Sequence, residues 1–163
     1  MAKNKEEKTN VMRFLEQKKI AYTAHTYPHE EGMAVDGVTV AKSMGFDPAI
    51  VFKTLVARGA SKQYYVFDVP VAENLDLKKA AKAVGEKSIE MIHQKELLPL
   101  TGYVHGGCSP VGMKKLFPTV FHETAENLET MIVSAGKIGY QVELAPHDLA
   151  ALVRAKFADI IVE

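Results

Sequence analysis

Two alternating runs, residues 50–58 and 63–69, stand back to back across the short polar connection Gly59-Ala60-Ser61. Alternation gives a strand one apolar face, and a polar break of a few residues brings the second run back beside the first. An antiparallel pair near the centre of the chain is therefore predicted, and the remaining elements must cover its apolar side. Helical stripes supply candidates. Val11, Phe14, Leu15 and Lys18 recur at three- and four-residue spacing and predict an amphipathic helix over 9–19. Val38, Ala41 and Met44 predict another over 36–44 closed by Gly45, and Leu77, Ala80, Ala81 and Val84 a third over 76–84 closed by Gly85.

The other elements are shorter. Residues 22–27 and 88–92 read as strands, Asp47 and Pro48 as a turn, and 94–98 as a short helix ending before Pro99. The stretch 102–112 is a loop by composition. Apolar strand candidates follow at 119–122, 131–134 and 140–144, and a last helix is predicted over 147–157 with Leu149, Leu152 and Val153 inward. Strands and helices are mixed without the regular alternation of a doubly wound parallel sheet, and no internal repeat is visible, so the expected class is α+β. With 163 residues, 47% of them hydrophobic and 25% charged, one globular domain over 1–163 is expected.

Composition also excludes some functions. Residues 1–8 are charged and no run approaches the roughly 18 apolar residues of a membrane span, so a cytoplasmic protein without a membrane partner is expected. The single cysteine, Cys108, cannot form an internal disulfide or a zinc framework of the CxxC kind. His25 and His29 have helical spacing, but Pro28 lies between them and no HExxH pattern is present, so neither a metal nor any other cofactor is expected. The formal charge is zero. Any nucleic-acid binding must therefore be local, with Lys78, Lys79, Lys82 and Lys87 as one basic cluster and Lys114 and Lys115 as another.

Three features bear on chemistry. Lys53 shares a strand face with Val51, Leu55 and Ala57. Either its stem packs while the amine reaches water, or the row lines a pocket where an ammonium binds an anionic or carbonyl oxygen. The loop Gly102-Tyr103-Val104-His105-Gly106-Gly107-Cys108-Ser109-Pro110-Val111-Gly112 is either an ordinary glycine turn or a backbone cradle aiming N–H groups at a ligand. It is neither a phosphate loop nor a nucleophile elbow. His105 and Cys108 have no orienting carboxylate in the pattern, so the thiol is assigned to packing. The third feature, Ser134-Ala135-Gly136-Lys137-Ile138-Gly139, is a small-residue turn between two apolar strands.

Taken in order, Val51-Phe52-Lys53-Thr54-Leu55-Val56, Gly106-Gly107-Cys108-Ser109-Pro110-Val111-Gly112-Met113 and Ser134-Ala135-Gly136-Lys137 give the chain a resemblance to the YbaK/EbsC family of free-standing tRNA-editing proteins. That family is related to the editing domain inserted in bacterial prolyl-tRNA synthetases. The resemblance implies a mixed sheet curled into a partly closed β-barrel flanked by α-helices, with the pocket at one mouth. It implies that Lys53 is the essential pocket lysine, that Gly106 and Gly107 surround the aminoacyl carbonyl, and that Tyr27 and Ser134 are further substrate-binding residues. Thr54 belongs to the lysine motif but is given no chemical role. The implied activity is trans-editing: deacylation of Cys-charged proline tRNA, assisted by the substrate's own thiol, in a complex that includes prolyl-tRNA synthetase. Cys108 stands where an aliphatic residue is at least as common. The competing expectations are editing of Ala- or Ser-charged tRNA, and a non-catalytic accessory protein that binds tRNA or a synthetase.

Overall fold

The computed structural model describes residues 8–29, 33 and 35–163. Along the chain the elements are α1 (Asn10–Gln17), β1 (Thr23–Thr26), α2 (Gly37–Ser43), β2 (Phe52–Gly59), β3 (Tyr64–Pro70), α3 (Leu77–Val84), β4 (Ile89–Met91), α4 (Gln94–Thr101), β5 (Thr119–His122), β6 (Met131–Ser134), β7 (Tyr140–Leu144), α5 (Pro146–Val153) and β8 (Ala155–Ala158). The strands form two sheets, one of order β4-β2-β3-β5-β8 and one of order β1-β7-β6. The fold is mixed α+β, as the pattern predicts.

The central pair is present, with Thr54 opposite Asp68 and Val56 opposite Val66. Beyond it, β5 runs parallel to β3 and β8 parallel to β5, while the smaller sheet is antiparallel throughout. The two sheets meet at an isolated parallel bridge between Val51 and Ile132. Among the described residues no continuous ladder closes a barrel, so the curled barrel implied by the resemblance takes the form of two sheets joined at one seam.

Both faces of the larger sheet are covered. Phe67, Val69 and Val120 pack with Ala80 and Ala81 of α3. On another side, Phe52 and Phe121 share a core with Val11 and Leu15 of α1, Val133 of β6 and Leu149 of α5. Strands buried on both faces read as apolar runs rather than clean alternation, and β3 and β5 do so.

The helix ends follow local chemistry. Asp36 and Asp76 cap α2 and α3 by accepting first-turn backbone N–H groups, and Gly85 ends α3 in the left-handed region at φ 75°. Two expectations are corrected. The short helix runs through Pro99 to Thr101, because a proline near a helix end removes one hydrogen bond without stopping the last turn; the Thr101 hydroxyl caps back onto the Leu97 carbonyl at 2.7 Å. The last helix stops at Val153 rather than 157. Arg154 adopts φ 57°, and residues 155–158 form β8 instead.

Candidate active site

β4 pairs with β2 only at residues 57–59, so among the described residues 53–55 have a strand neighbour on the β3 side alone. A cavity of about 460 Å³ opens along this unpaired stretch, a volume typical of small-molecule sites. Val51, Lys53 and Leu55 all line it. The apolar row that carries Lys53 is thus a cavity wall.

Lys53 is half-buried, and burial pulls its ammonium below the ordinary lysine range, while the charges of Asp36 and Glu73 act in the opposite direction. Asp36 lines the same cavity, held by its capping bonds from the Thr39 N–H at 3.1 Å and the Thr39 hydroxyl at 3.2 Å. One cation and one anion therefore face the same space.

Tyr27, Gly106 and Ser134 join Lys53 in the lining. Tyr27 is 8% exposed, its N–H donates to the Gly139 carbonyl at 2.9 Å, and its ring lies 6.2 Å from the ring of His29. The Ser134 hydroxyl accepts the Gly136 N–H at 3.1 Å, which pins it at the mouth of the β6–β7 turn. Gly106 sits at φ 89°, a conformation L side chains rarely adopt. Gly107 is not part of the lining. Its N–H donates to the Val104 carbonyl at 3.0 Å, and a Cβ there would lie 3.1 Å from the Ile138 nitrogen and 3.3 Å from the Lys137 Cα. Its role is close approach: it lets the glycine loop seat against the β6–β7 turn, while Gly106 faces the cavity.

Cys108 is both packed and lining. It is buried with Val56, Val66 and Phe117, and burial, reinforced by the charge of Asp68, pushes its thiol up to about 12. A thiol so held stays protonated, so a cysteine nucleophile activated by exposed His105 does not fit. His25 is engaged with Glu143 at 2.8 Å. Among the described residues no group of three or more metal-ligating side chains comes together, and no helix is long and apolar enough to cross a membrane.

Asp68, Tyr140 and Gln141 are not singled out by pattern, and Thr54 only as part of the lysine motif. Thr54 lines the cavity and donates its hydroxyl to Asp68 Oδ1, directly across the strand pair. Asp68 is fully buried, its Oδ2 has no protein partner, and burial raises its carboxyl to about 7. A carboxylate inside the run Tyr64-Tyr65-Val66-Phe67-Asp68-Val69 was the available signal. Gln141, 7% exposed, lines the cavity with its Oε1 unpartnered, and Tyr140 stands beside it. Nothing in local spacing marks either, since they enter through the fold of β7 against β1.

The model of the aminoacyl-tRNA editing domain matches residues 29–152. A curated protein of Enterococcus faecalis, provisionally named Cys-tRNA(Pro)/Cys-tRNA(Cys) deacylase EbsC, is 46% identical over 161 residues, covering 98% of each chain. A solved structure described as a provisional trans-editing enzyme for prolyl-tRNA synthetase superposes with a TM-score of 0.78 at 25% identity, over 94% of this chain and 95% of that one. A hypothetical protein at 18% identity shares the fold with a TM-score of 0.82, over 93% of this chain and 99% of that one.

Proposed function

The chain belongs to the aminoacyl-tRNA editing family, and from that premise we propose that it clears cysteine from mischarged proline tRNA in trans, with Lys53 as its central residue. It is an enzyme acting on aminoacyl-tRNA. The observation that carries the finer reading is the half-buried Lys53 in one cavity with Tyr27, Gly106 and Ser134. The name of the Enterococcus faecalis relative and the description of the synthetase trans-editing structure support the same substrate.

An aminoacyl ester carries an α-ammonium and an already activated carbonyl. Asp36 offers a carboxylate for the first, and Lys53 offers a cation for the carbonyl, ribose or phosphate end. The protein then needs mainly to position the ester and stabilise the oxyanion as it forms, a contribution worth about 3–4 kcal/mol for one fixed donor. In the proposed reaction the cysteinyl thiol attacks its own carbonyl carbon. A C–S bond forms, the ester C–O bond breaks, and the thiol proton passes to the departing ribose oxygen. The products are a cyclic thiolactone and free tRNA. The high affinity of Cys108 for its proton suits this scheme, since the sulfur that reacts is the substrate's. Discrimination becomes chemical: proline and alanine carry no thiol to attack. Such a device supplements binding pockets, which separate side chains differing by a methylene by only about 1–3 kcal/mol.

Three further proposals complete the reading. The chain acts as one editing domain over 1–163, of which 1–7, 30–32 and 34 lie outside the described residues. It works in the cytoplasm, and it operates in a ternary complex with prolyl-tRNA synthetase and tRNA.

The test is release of labelled amino acid from Cys-, Ala- and Pro-charged proline tRNA by the wild type and by Lys53→Ala. The expected outcome is clearance of cysteine alone, with a loss of at least about 100-fold in the variant, corresponding to the transition-state stabilisation of one charged contact. Release of alanine at a similar rate would replace the thiol route by attack of water. Unchanged activity of Lys53→Ala would remove the lysine from the site.

A further inference from the structure

Among the described residues Asp68 holds the only buried carboxyl, and its Oδ2 has no protein partner. An apolar residue would fill such a place with less cost to the fold. A titratable group held where it weakens the fold, beside a cavity, points to chemistry. Its geometry gives it one outlet. The Val71 N–H donates to the Val51 carbonyl and the Gly59 N–H to the Gln63 carbonyl, each at 2.8 Å, so in this register the odd-numbered residues from 51 to 59 share main-chain bonds across the pair. Thr54 and Asp68 therefore form a non-hydrogen-bonded pair, the kind whose side chains stand closest. The Thr54 hydroxyl donates to Asp68 Oδ1. Asp68 does not line the substrate cavity, whereas Thr54 does, next to Lys53. With its proton committed to Asp68, the Thr54 oxygen keeps a lone pair free to accept from a ligand.

We infer that Asp68, acting through the Thr54 hydroxyl, takes up the proton that the attacking substrate thiol must lose. The inference rests on the thiol-assisted editing reading and adds the path of the proton to it. As the C–S bond forms, the thiol proton moves to Thr54 Oγ1 and the Thr54 proton moves to Asp68 Oδ1. As the ester C–O bond breaks, Thr54 gives its proton to the ribose oxygen and recovers one from Asp68. No proton is gained or lost over the cycle, and both side chains end as they began. The relay needs the carboxylate form. Burial sets that carboxyl at about 7, near the neutral range where a general base works best, whereas a carboxyl at its ordinary 3.8 is a weak base toward a thiol.

The groups around Asp68 leave it this role. In register, β5 presents Phe121, and the turn at 48–50 carries no titratable side chain. On β2, Lys53 lies on the opposite face from Thr54 and feels Asp36 and Glu73, while Arg58 is paired with Glu90 at 2.9 Å. The glycine loop brings Cys108, whose thiol the Asp68 charge helps to keep protonated. In the same loop the Tyr103 hydroxyl donates to the Val111 carbonyl, and His105 is exposed. The only side chain hydrogen-bonded to the Asp68 carboxyl is therefore Thr54.

The experiment is steady-state clearance of Cys-charged proline tRNA between about pH 5.5 and pH 8, with urea denaturation alongside, for wild type, Asp68→Asn, Thr54→Val and Thr54→Ser. At the upper pH Asp68→Asn should lower kcat about 100-fold with KM within about threefold, the low end of what a general base supplies. At the lower pH, where the wild-type carboxyl holds its own proton, the gap should narrow to about fourfold. The wild-type limb near pH 7 should be absent from Asp68→Asn, whereas limbs from the substrate's own thiol and ammonium appear in both. Thr54→Val should fall about as far as Asp68→Asn, and Thr54→Ser, which restores the hydroxyl, should recover at least about a third of wild-type kcat. The denaturation curves separate chemistry from folding, since Asp68→Asn is expected to be slower at the upper pH without being less stable. Wild-type kcat in Asp68→Asn at that pH, an equal loss at both ends of the range, or a Thr54→Ser no faster than Thr54→Val would each overturn the relay and leave the editing reading in place. Failure of the editing reading looks different: the wild type itself then clears no Cys-tRNA at any pH, and the relay falls with it.

Discussion

Asp68 shows how much one side chain can reveal. It is fully buried, its Oδ1 accepts the Thr54 hydroxyl and its Oδ2 has no protein partner, so the charged form is poorly served and the carboxyl rises to about 7. The unfolded chain releases that proton near 3.8, whereas the folded protein keeps it to about 7. Between those values the native state binds the extra proton, so the contribution of Asp68 to stability is fully present below the lower value and is lost as pH rises through the upper one. The linked free energy is on the order of 4 kcal/mol across the window. Carboxylates held below their ordinary range, such as Glu143 by Thr130 and His25, act at lower pH. His122, held down by burial, works the opposite way below about 6.5, so the quantity to compare is the variant minus the wild type. Asp68→Asn keeps an acceptor for Thr54 and cannot ionise. Urea denaturation at pH 5 and pH 8 should show the variant gaining on the wild type by a few kcal/mol at the higher pH. A constant difference at both values would mean that Asp68 does not hold its proton in the fold.

At the scale of elements, the site depends on two loops touching. Gly107 carries the glycine loop to within van der Waals reach of the Lys137–Ile138 backbone, and neither neighbour can rotate away as a side chain would. Gly107→Ala should therefore shift the β6–β7 turn by a few tenths of an ångström and displace Ser134 from Gly106. Overpacking of this kind costs about 1–3 kcal/mol, or roughly 2–10 °C in Tm for a chain of this size. The expected loss of deacylation is larger, at least about tenfold in kcat/KM, because misplacement within a site is amplified in rate. Wild-type kcat/KM alongside a lowered Tm would show that the contact supports the fold alone. The same contact explains what sequence could and could not reveal. Strand runs with turn residues at both ends were legible: 119–122, 131–134 and 140–144 match β5, β6 and β7, and Asp76 and Gly85 bracket α3. β8 was not, because Leu149, Leu152 and Val153 continue a helical stripe toward Phe157, and only the parallel neighbour β5 makes residues 155–158 a strand. Lys53, Gly106 and Ser134 could be proposed together through ordered motifs, and Tyr27 through the resemblance those motifs carry; all four line one cavity. Asp36 and Gln141 could not, since their importance depends on which elements the two sheets bring face to face.

For the whole molecule the governing quantity is charge. Twenty basic residues against twenty acidic ones leave no average field to draw tRNA in, and most of the affinity of proteins for nucleic acid comes from neutralised phosphates. A chain without such a field is a weak anchor for tRNA on its own. An editing enzyme must also meet its substrate while the mischarged tRNA is still distinguishable from the bulk. Both requirements are met if the synthetase grips the rest of the tRNA, since tethering converts the second encounter into an intramolecular one at an effective concentration that can reach millimolar. Adding prolyl-tRNA synthetase in excess should therefore lower the Cys-tRNA concentration for half-maximal clearance by about tenfold or more without changing the rate at saturation. The gain should vanish when cysteine is esterified to a short acceptor RNA too small for the synthetase to hold, and it should persist at salt concentrations that abolish binding by the editing chain alone. If synthetase leaves the half-maximal concentration unchanged on full-length tRNA, the ternary assembly fails. The editing chain's own basic residues would then have to supply the whole affinity, and clearance in isolation would weaken steeply with salt.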